Sequence, residues 1–181
     1  HKGAGCKAPG RTRPGRGGMT ASPVPQSDDA AAQRLSALHA ECFDEAWDAP
    51  AIARLLSMPG AFAYWAAVSA ETGESPDGFV LARVGGGGTN TDGQNLRLAA
   101  RAAGLGRVLL AAAAAHAAAA GAGSLFLEVA EDNMPALRLY ESFGFSLVGT
   151  RPGYYERGSS RVAARTLKLD LPHDASPVIN P

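Results

Sequence analysis

The chain has 181 residues, 46% of them hydrophobic, and its 17 Lys and Arg residues balance its 17 Asp and Glu residues. This size and apolar content fit one domain with a substantial core. The balanced charge excludes a strongly basic surface that would hold nucleic acid or an anionic membrane, so any anion must be bound locally.

The cysteines and the longest apolar run give information on the compartment. Cys6 and Cys42 lie far apart, with no CxxC motif or Cys/His cluster, which argues against a disulfide framework or a metal site. This cysteine usage favours a reducing, cytoplasmic setting. The weakly polar run over 108–123 is mostly alanine and is interrupted by His116 and Gly121, so we expect no membrane span.

The two ends of the chain differ in composition from the rest. The stretch "HKGAGCKAPGRTRPGRGG" is basic and rich in Gly and Pro, and it lacks the apolar segment of a signal peptide. We therefore expect residues 1–27 to be a disordered extension, 28–171 to be the folded domain and 172–181 to be a flexible tail.

The first half of the domain predicts two helices followed by two strands. Ser27 and Asp28 are typical N-cap residues ahead of a helix over 30–42. Asp48 should cap a second, short helix that stops near Met58. The apolar runs over 61–68 and 78–84 flank a turn-forming segment and predict two paired antiparallel strands.

The second half predicts alternating helices and strands. A glycine turn precedes a helix over 104–120, which the glycines at 121 and 123 end. The elements that follow are a strand over 124–130, a helix over 133–143 closed by Gly144, and strands over 145–151 and 164–171. This alternation predicts an α/β layer with a terminal antiparallel hairpin.

The stretch Arg101-x-x-Gly104-x-Gly106 leads directly into the helix over 104–120. Glycines at such a turn let consecutive backbone N–H groups point into one hollow at the positive end of a helix, an arrangement that suits a pyrophosphate. The alternative is a helix start that the glycines merely ease, without any ligand.

Glu128 lies at the centre of the apolar strand "SLFLEVA", where an unpaired carboxylate would be costly. Tyr140 follows on the next helix and shares a face with Asn133, seven residues earlier. A candidate base and a candidate acid thus flank one cleft. The alternative is a partly exposed glutamate and a tyrosine whose ring lies in the core with its hydroxyl at the surface.

The stretches "RAAGLGRVLL" and "LFLEVAEDNMPALRLYESFGFSLVGTRPGYY" resemble the GCN5-related N-acetyltransferase (GNAT) superfamily, and within it the ribosomal-protein alanine N-acetyltransferases. The earlier "CFDEAWDAPAIARLL" is similar to the helix-loop-helix on the acceptor side of this family. The resemblance covers 28–171. It implies the GNAT fold, a central mixed twisted sheet flanked by helices, and acetyl-CoA as the acetyl donor.

The resemblance also implies a role for each matched residue. Glu128 would act through water as general base and Tyr140 as general acid, because a protonated amine cannot attack a thioester and a thiolate leaves more readily when protonated. Tyr154 and Tyr155, expected in the turn of the terminal hairpin, would line the peptide entrance, unless they are simply surface aromatics. The implied cofactor-binding residues are Arg101, Gly104, Leu105, Gly106, Arg107, Val108 and Asn133.

The acceptor implied by the resemblance is a protein N-terminus, specifically the alanine-starting terminus of a small-subunit ribosomal protein. One alternative is a GNAT enzyme that acetylates a small amine. Another is a catalytically impaired module that keeps the fold and works by contact with a partner.

The segment over 85–103, "GGGGTNTDGQNLRLAARAA", departs from the family pattern of an apolar strand and a proline-containing bend before the pyrophosphate loop. Its composition is that of a loop, so this strand is expected to be degraded. One hypothesis is a local reading-frame slip in the coding DNA. The other is a genuine variant in which residues 95–100 form a short strand.

Overall fold

A computed structural model of the chain describes residues 19–25, 28–43, 46–67, 76–84, 96–100 and 104–172. The order of its strands and helices confirms the expected α/β class. The elements are β1 (Ala21–Pro23), α1 (Asp29–Cys42), α2 (Ala49–Leu56), β2 (Ala61–Ala66), β3 (Gly78–Arg83), β4 (Arg97–Ala100), α3 (Leu105–Ala119), β5 (Ser124–Ala130), α4 (Met134–Phe143), β6 (Ser146–Arg157) and β7 (Ser160–Asp170).

The strands form two sheets, one in the order β1-β2-β3-β4 and one in the order β5-β7-β6. All of these neighbouring strands pair antiparallel, including the predicted β2–β3 pair, whereas the resemblance implied one mixed sheet. Leu96 N–H, just before β4, donates a hydrogen bond of 3.1 Å to the Phe126 carbonyl oxygen of β5. This bond links the two sheets beside the start of α3.

The first sheet is covered by helices on both faces. Val80 and Ala82 belong to an apolar cluster that contains the buried face of α3 and much of β5. Phe79 and Leu81, which alternate with them along β3, belong to a second cluster with α1 and α2. Since neighbouring residues of a strand point to opposite faces, α3 lies on one side of this sheet and α1 and α2 lie on the other.

Helix boundaries agree closely with the cap residues in the sequence. Asp28 and Asp48 accept hydrogen bonds from first-turn amides of α1 and α2, at 2.9 and 2.8 Å. At the other end of the domain, α4 stops at Gly144, which has the left-handed φ of +110° that suits glycine.

The observed strands differ from the predicted ones at β1, β6 and β7, whereas β4 agrees with one of the two hypotheses for its segment. β1 pairs with β2 inside residues 1–27, so ordered structure begins before the predicted boundary at residue 28. β4 lies within the short strand hypothesised over 95–100 and pairs with β3. β6 and β7 are longer than predicted, and they meet at a turn over 158–159. Residues 1–18, 85–95, 101–103 and 173–181, on which other predictions fall, lie outside the described residues.

The described residues bear on two further sequence predictions, one on the cysteines and one on membrane spans. Cys42 is buried at the end of α1, and the other cysteine, Cys6, lies outside the described residues. In the described part of the chain, no helix is both long and apolar enough to cross a membrane.

Candidate active site

The first turn of α3 exposes backbone N–H groups that the helix itself cannot use. Its first intrahelical bond runs from Val108 N–H to the Gly104 carbonyl oxygen, at 3.3 Å, which leaves the amides of residues 105–107 without a helical acceptor. Gly104 has a φ of +92° and contributes no side-chain cap. The other described helices start with a capping side chain, so α3 differs from them in having a start open to an anion.

The second glycine of the turn serves helix packing. A Cβ atom on Gly106 would lie 2.6 Å from Cδ2 of Leu139, so a larger residue here would require the Leu139 side chain to move. Leu105, beside it, is fully buried and anchors the turn in the core. Among the predicted cofactor-binding residues, Gly104 therefore forms the left-handed turn before α3, whereas Gly106 allows α3 to pack closely on α4.

Arg107 connects the same turn to the far end of α4. Its Nη1 lies 3.4 Å from the Ser142 carbonyl oxygen, and its guanidinium lies 5.6 Å from the centre of the Phe143 ring. These contacts, together with the Gly106 packing, join the start of α3 to the helix that carries Tyr140.

Glu128 lies in β5 opposite Thr166 of β7. Its neighbours Leu127 and Val129 are buried, whereas 21% of the Glu128 side chain is exposed. Successive side chains of β5 point to opposite faces of the sheet, and only one face packs on the core. A glutamate can therefore occur in this apolar sequence because it points away from that face.

Glu128 is not the unpaired carboxylate that its sequence suggested. Arg151 Nη1 of β6 lies 3.0 Å from Glu128 Oε1, and the Arg151 guanidinium lies 4.1 Å from the centre of the Tyr154 ring. The hydrogen bond and charge of Glu128 raise the pKa of Arg151 above its ordinary value.

Sequence reasoning missed Arg151 because the contact spans 23 residues and depends on the strand order. In the sheet, Arg151 and Ala130 are both partners of Ala164 on β7, and Ala130 is two residues from Glu128 on the same face. Once this register is known, the opposite charges at the two positions predict the ion pair; without the register they do not.

Tyr154 and Tyr155 lie in β6 and not in the hairpin turn, so their predicted placement is wrong. The register of β6 against β7 shifts between Arg151 and Tyr155, and Gly153 has a left-handed φ of +60°. This bulge lets the strand continue past Pro152 and Gly153. The two rings meet edge to face with centroids 5.0 Å apart, and 42% of Tyr154 is exposed.

The remaining predicted residues belong to α4. Tyr140 is 6% exposed, and its ring meets Phe145 edge to face at 5.6 Å. Asn133 caps the helix, because its side-chain oxygen accepts the Ala136 N–H at 3.3 Å. Arg101 lies outside the described residues.

Taken together, the structure brings the predicted residues into two groups. Glu128 and Tyr154 are joined through Arg151, and the glycine turn is joined to α4 through Leu139. Tyr140 and Asn133 lie on α4, the element that directly follows β5.

Comparison with known proteins identifies the family. The family model described as acetyltransferase (GNAT) family matches residues 32–145. No curated protein matches the sequence significantly. The three similar solved structures described next are each under 25% identical to this chain and show the fold alone.

The ribosomal-protein-S18-alanine N-acetyltransferase from Escherichia coli has 21% identity, a TM-score of 0.71 and coverage of 90% of this chain and 99% of its own. NAA60 of Arabidopsis thaliana, in complex with acetyl-CoA, has 18% identity, a TM-score of 0.66 and coverage of 84% and 98%. The yncA protein from Salmonella typhimurium, with its cofactor acetyl-CoA, has 18% identity, a TM-score of 0.65 and coverage of 90% and 99%. Because the family model spans more than half of its length, the chain belongs to the acetyltransferase (GNAT) family and is an N-acetyltransferase.

Proposed function

We propose that this enzyme transfers the acetyl group of acetyl-CoA to the N-terminal α-amino group of a protein, and that its acceptor is the alanine-starting terminus of a small-subunit ribosomal protein. The observation that carries the proposal is the position of Glu128. It presents a partly exposed carboxylate from β5, where its neighbours Leu127 and Val129 are buried, and this carboxylate contacts Arg151 of β6 across the intervening strand β7.

The open start of α3 is the proposed donor site. Amides of residues 105–107, the left-handed Gly104 and Arg101 would receive the pyrophosphate, and Asn133 would contact the cofactor or order its wall. The Val108 N–H, also among the residues implied to bind the cofactor, already donates to the Gly104 carbonyl oxygen. The fit rests on the absence of a capping side chain at Gly104, because a cap would compete with the phosphate oxygens for the same N–H groups. When bound, acetyl-CoA supplies an acetyl thioester.

Glu128 and Tyr140 would carry the two proton transfers of a direct attack. An α-amino group has a pKa of about 7.7–8.0, so much of it is protonated at neutral pH and must lose a proton before it attacks. Glu128 would accept that proton through water as the new N–C bond forms. The Tyr140 hydroxyl would donate a proton to the sulfur as the C–S bond breaks.

Two similarities to known proteins and the tyrosine rings of β6 support a protein N-terminus as the acceptor. The sequence resembles ribosomal-protein alanine N-acetyltransferases, and one protein of similar fold is the ribosomal-protein-S18-alanine N-acetyltransferase from Escherichia coli. Tyr154 is exposed and Tyr155 is half-buried, which suits a role in lining a peptide entrance. These features favour a peptide acceptor over a small amine.

The test is acetyl transfer to an alanine-initiated hexapeptide, compared with transfer to simple polyamines. We expect the hexapeptide to be preferred. Glu128→Gln and Tyr140→Phe should each lower kcat by about 10²–10⁴-fold, the contribution typical of a positioned acid or base, without weakening acetyl-CoA binding.

Matched controls exist for both substitutions. Glu156→Gln removes an exposed β6 carboxylate that pairs with Arg161, and Tyr64→Phe removes a hydroxyl that contacts His116. Both should leave kcat within about twofold, because Glu156 is an exposed group and the half-buried Tyr64 lies in β2, outside the elements that carry Glu128 and Tyr140. Preference for polyamines would favour a small-amine acetyltransferase, and a chain that binds acetyl-CoA without any transfer would favour the impaired module.

A further inference from the structure

We propose that Arg151 is a positioning residue for the proton-transfer step, which orients the Glu128 carboxylate and is itself held in place by the Tyr154 ring. The inference rests on the proposed function, in which Glu128 accepts the proton of the acceptor amine. It adds an arginine and a strand bulge to the residues on which that step depends.

The contact between the two charges uses one carboxylate oxygen. Arg151 Nη1 is 3.0 Å from Glu128 Oε1. Within the described ranges, no other donor contacts this carboxylate, so Oε2 keeps its capacity to accept a proton directly or through water. A charge-assisted hydrogen bond to Oε1 therefore fixes the direction of Oε2 without occupying it.

The position of Tyr154 depends on the bulge in β6. Residues three apart in a regular strand point to opposite faces, so Arg151 and Tyr154 would not meet there. The register shift between Arg151 and Tyr155, with Gly153 at a φ of +60°, instead places the Tyr154 ring 4.1 Å from the guanidinium. Bulges are known to re-aim side chains near active sites, and this one joins the ring to the cation that contacts the base.

The stacked ring matters because Arg151 is otherwise free to move. Its side chain is 56% exposed, and an exposed ion pair with so much solvent contact usually holds its geometry poorly. Stacking on an aromatic face restricts the guanidinium to fewer rotamers and orients its donors toward Glu128. Tyr154 would thus act on the base through Arg151.

The same hairpin provides a comparison for this arrangement. Arg161 and Glu156 form an ion pair of 2.9 Å whose side chains are 67% and 70% exposed. Neither of them lies in β5 or stacks in a described cation–π contact. Arg161→Gln is therefore the matched control, because it removes the same charge from a surface pair outside the proposed site.

The experiment measures kcat and KM for the hexapeptide acceptor, acetyl-CoA affinity and the urea midpoint for each full-length variant. Arg151→Gln should lower kcat by about tenfold or more, up to the 10²–10⁴-fold that loss of the base itself would cause, with acetyl-CoA affinity unchanged. Arg151→Lys should recover part of the loss. Tyr154→Leu removes the ring and should lower kcat, whereas Tyr154→Phe keeps the ring and should lower kcat less.

A double-mutant cycle separates positioning from a general loss of fold. If Arg151 acts through Glu128, Arg151→Gln should lower the residual rate of the Glu128→Gln enzyme by less than about twofold. Tyr154→Leu should likewise have no further effect in the Arg151→Gln enzyme. A variant with a wild-type urea midpoint and a reduced kcat supports positioning, since a structural role would change both.

Three results would overturn the inference. The first is that Arg151→Gln is as active as the control Arg161→Gln. The second is that Arg151→Gln is more active than wild type, because Arg151 would then compete with the acceptor amine for Glu128. The third is full additivity with Glu128→Gln. If the wild-type chain acetylates neither peptide nor polyamine, the proposed function itself fails, and the inference fails with it; in the three cases above, only the inference fails.

Discussion

Replacing Gly104 with alanine tests the start of α3 as an anion site. Gly104 has a φ of +92°, and the left-handed conformation costs an L-residue about 1–2 kcal/mol. The added Cβ would lie 3.0 Å from Cε of Met19, the end of a flexible side chain, so the contact adds little. We therefore expect the free energy of unfolding to fall by about 1–2 kcal/mol, or about 2–8 °C in Tm for a domain of this size.

Gly121 at the other end of α3 provides the control. It has a φ of +82°, and no atom lies within 4 Å of a Cβ built there. Gly121→Ala should therefore cost a similar amount of stability for the same backbone reason. It should leave the donor site intact, because the 15-residue helix separates the two glycines by about 22 Å.

The assays are urea denaturation and calorimetric titration with acetyl-CoA. Both variants should unfold at lower urea than wild type, and only Gly104→Ala should bind acetyl-CoA more weakly, by about tenfold or 1.4 kcal/mol, because its altered turn no longer directs the first amides at the pyrophosphate. If the two variants bound acetyl-CoA equally well, the assignment of the turn at Gly104 as the pyrophosphate site would be refuted. Unchanged stability in Gly104→Ala would refute the backbone argument.

Three further predictions concern the neighbouring contacts. Asn133→Ala should lower the free energy of unfolding by about 1 kcal/mol because α4 loses its cap, and Asp28→Ala should do the same for α1. A loss below a few tenths of a kcal/mol, measured by urea denaturation, would contradict the capping role. Gly106→Ala should cost about 1–3 kcal/mol by crowding Leu139, and adding Leu139→Ala should make this cost disappear in a double-mutant cycle. Because Glu128 raises the pKa of Arg151, the pair stabilises the fold below the ordinary arginine pKa and loses this effect only as pH rises through the raised value. Because this pair is exposed and contributes little, the urea midpoint of Arg151→Gln should stay close to that of wild type and the comparison should not change from about pH 7 to 10; a difference that declines across this range would contradict the argument.

Local signals predicted the part of the fold around β5 and α4 well. β5 occupies the predicted residues because its apolar run lies between glycine-rich and polar turns. α4 starts after Asn133 and ends at Gly144 because both cap positions require particular residue types. The residues proposed for catalysis, Glu128 and Tyr140, lie on these two elements.

Features that depend on long-range pairing could not be predicted. β1 has three residues without an apolar pattern, and its existence depends on the edge that β2 offers. The bulge at Gly153 looks like a turn locally, so the position of Tyr154 required the register of β6 against β7. The Arg151–Glu128 pair is invisible until that register is known, because 23 residues separate the two side chains.

The open first turn of α3 also determines which backbone amides should report ligand binding by hydrogen exchange. The N–H groups of residues 105–107 have no helical acceptor, so their protons should exchange with solvent rapidly in the free protein even though Leu105 is buried. A phosphate seated on these groups would accept their hydrogen bonds and slow the exchange. Deuterium uptake at these amides would therefore measure donor-site occupancy in any variant, including those that no longer transfer an acetyl group.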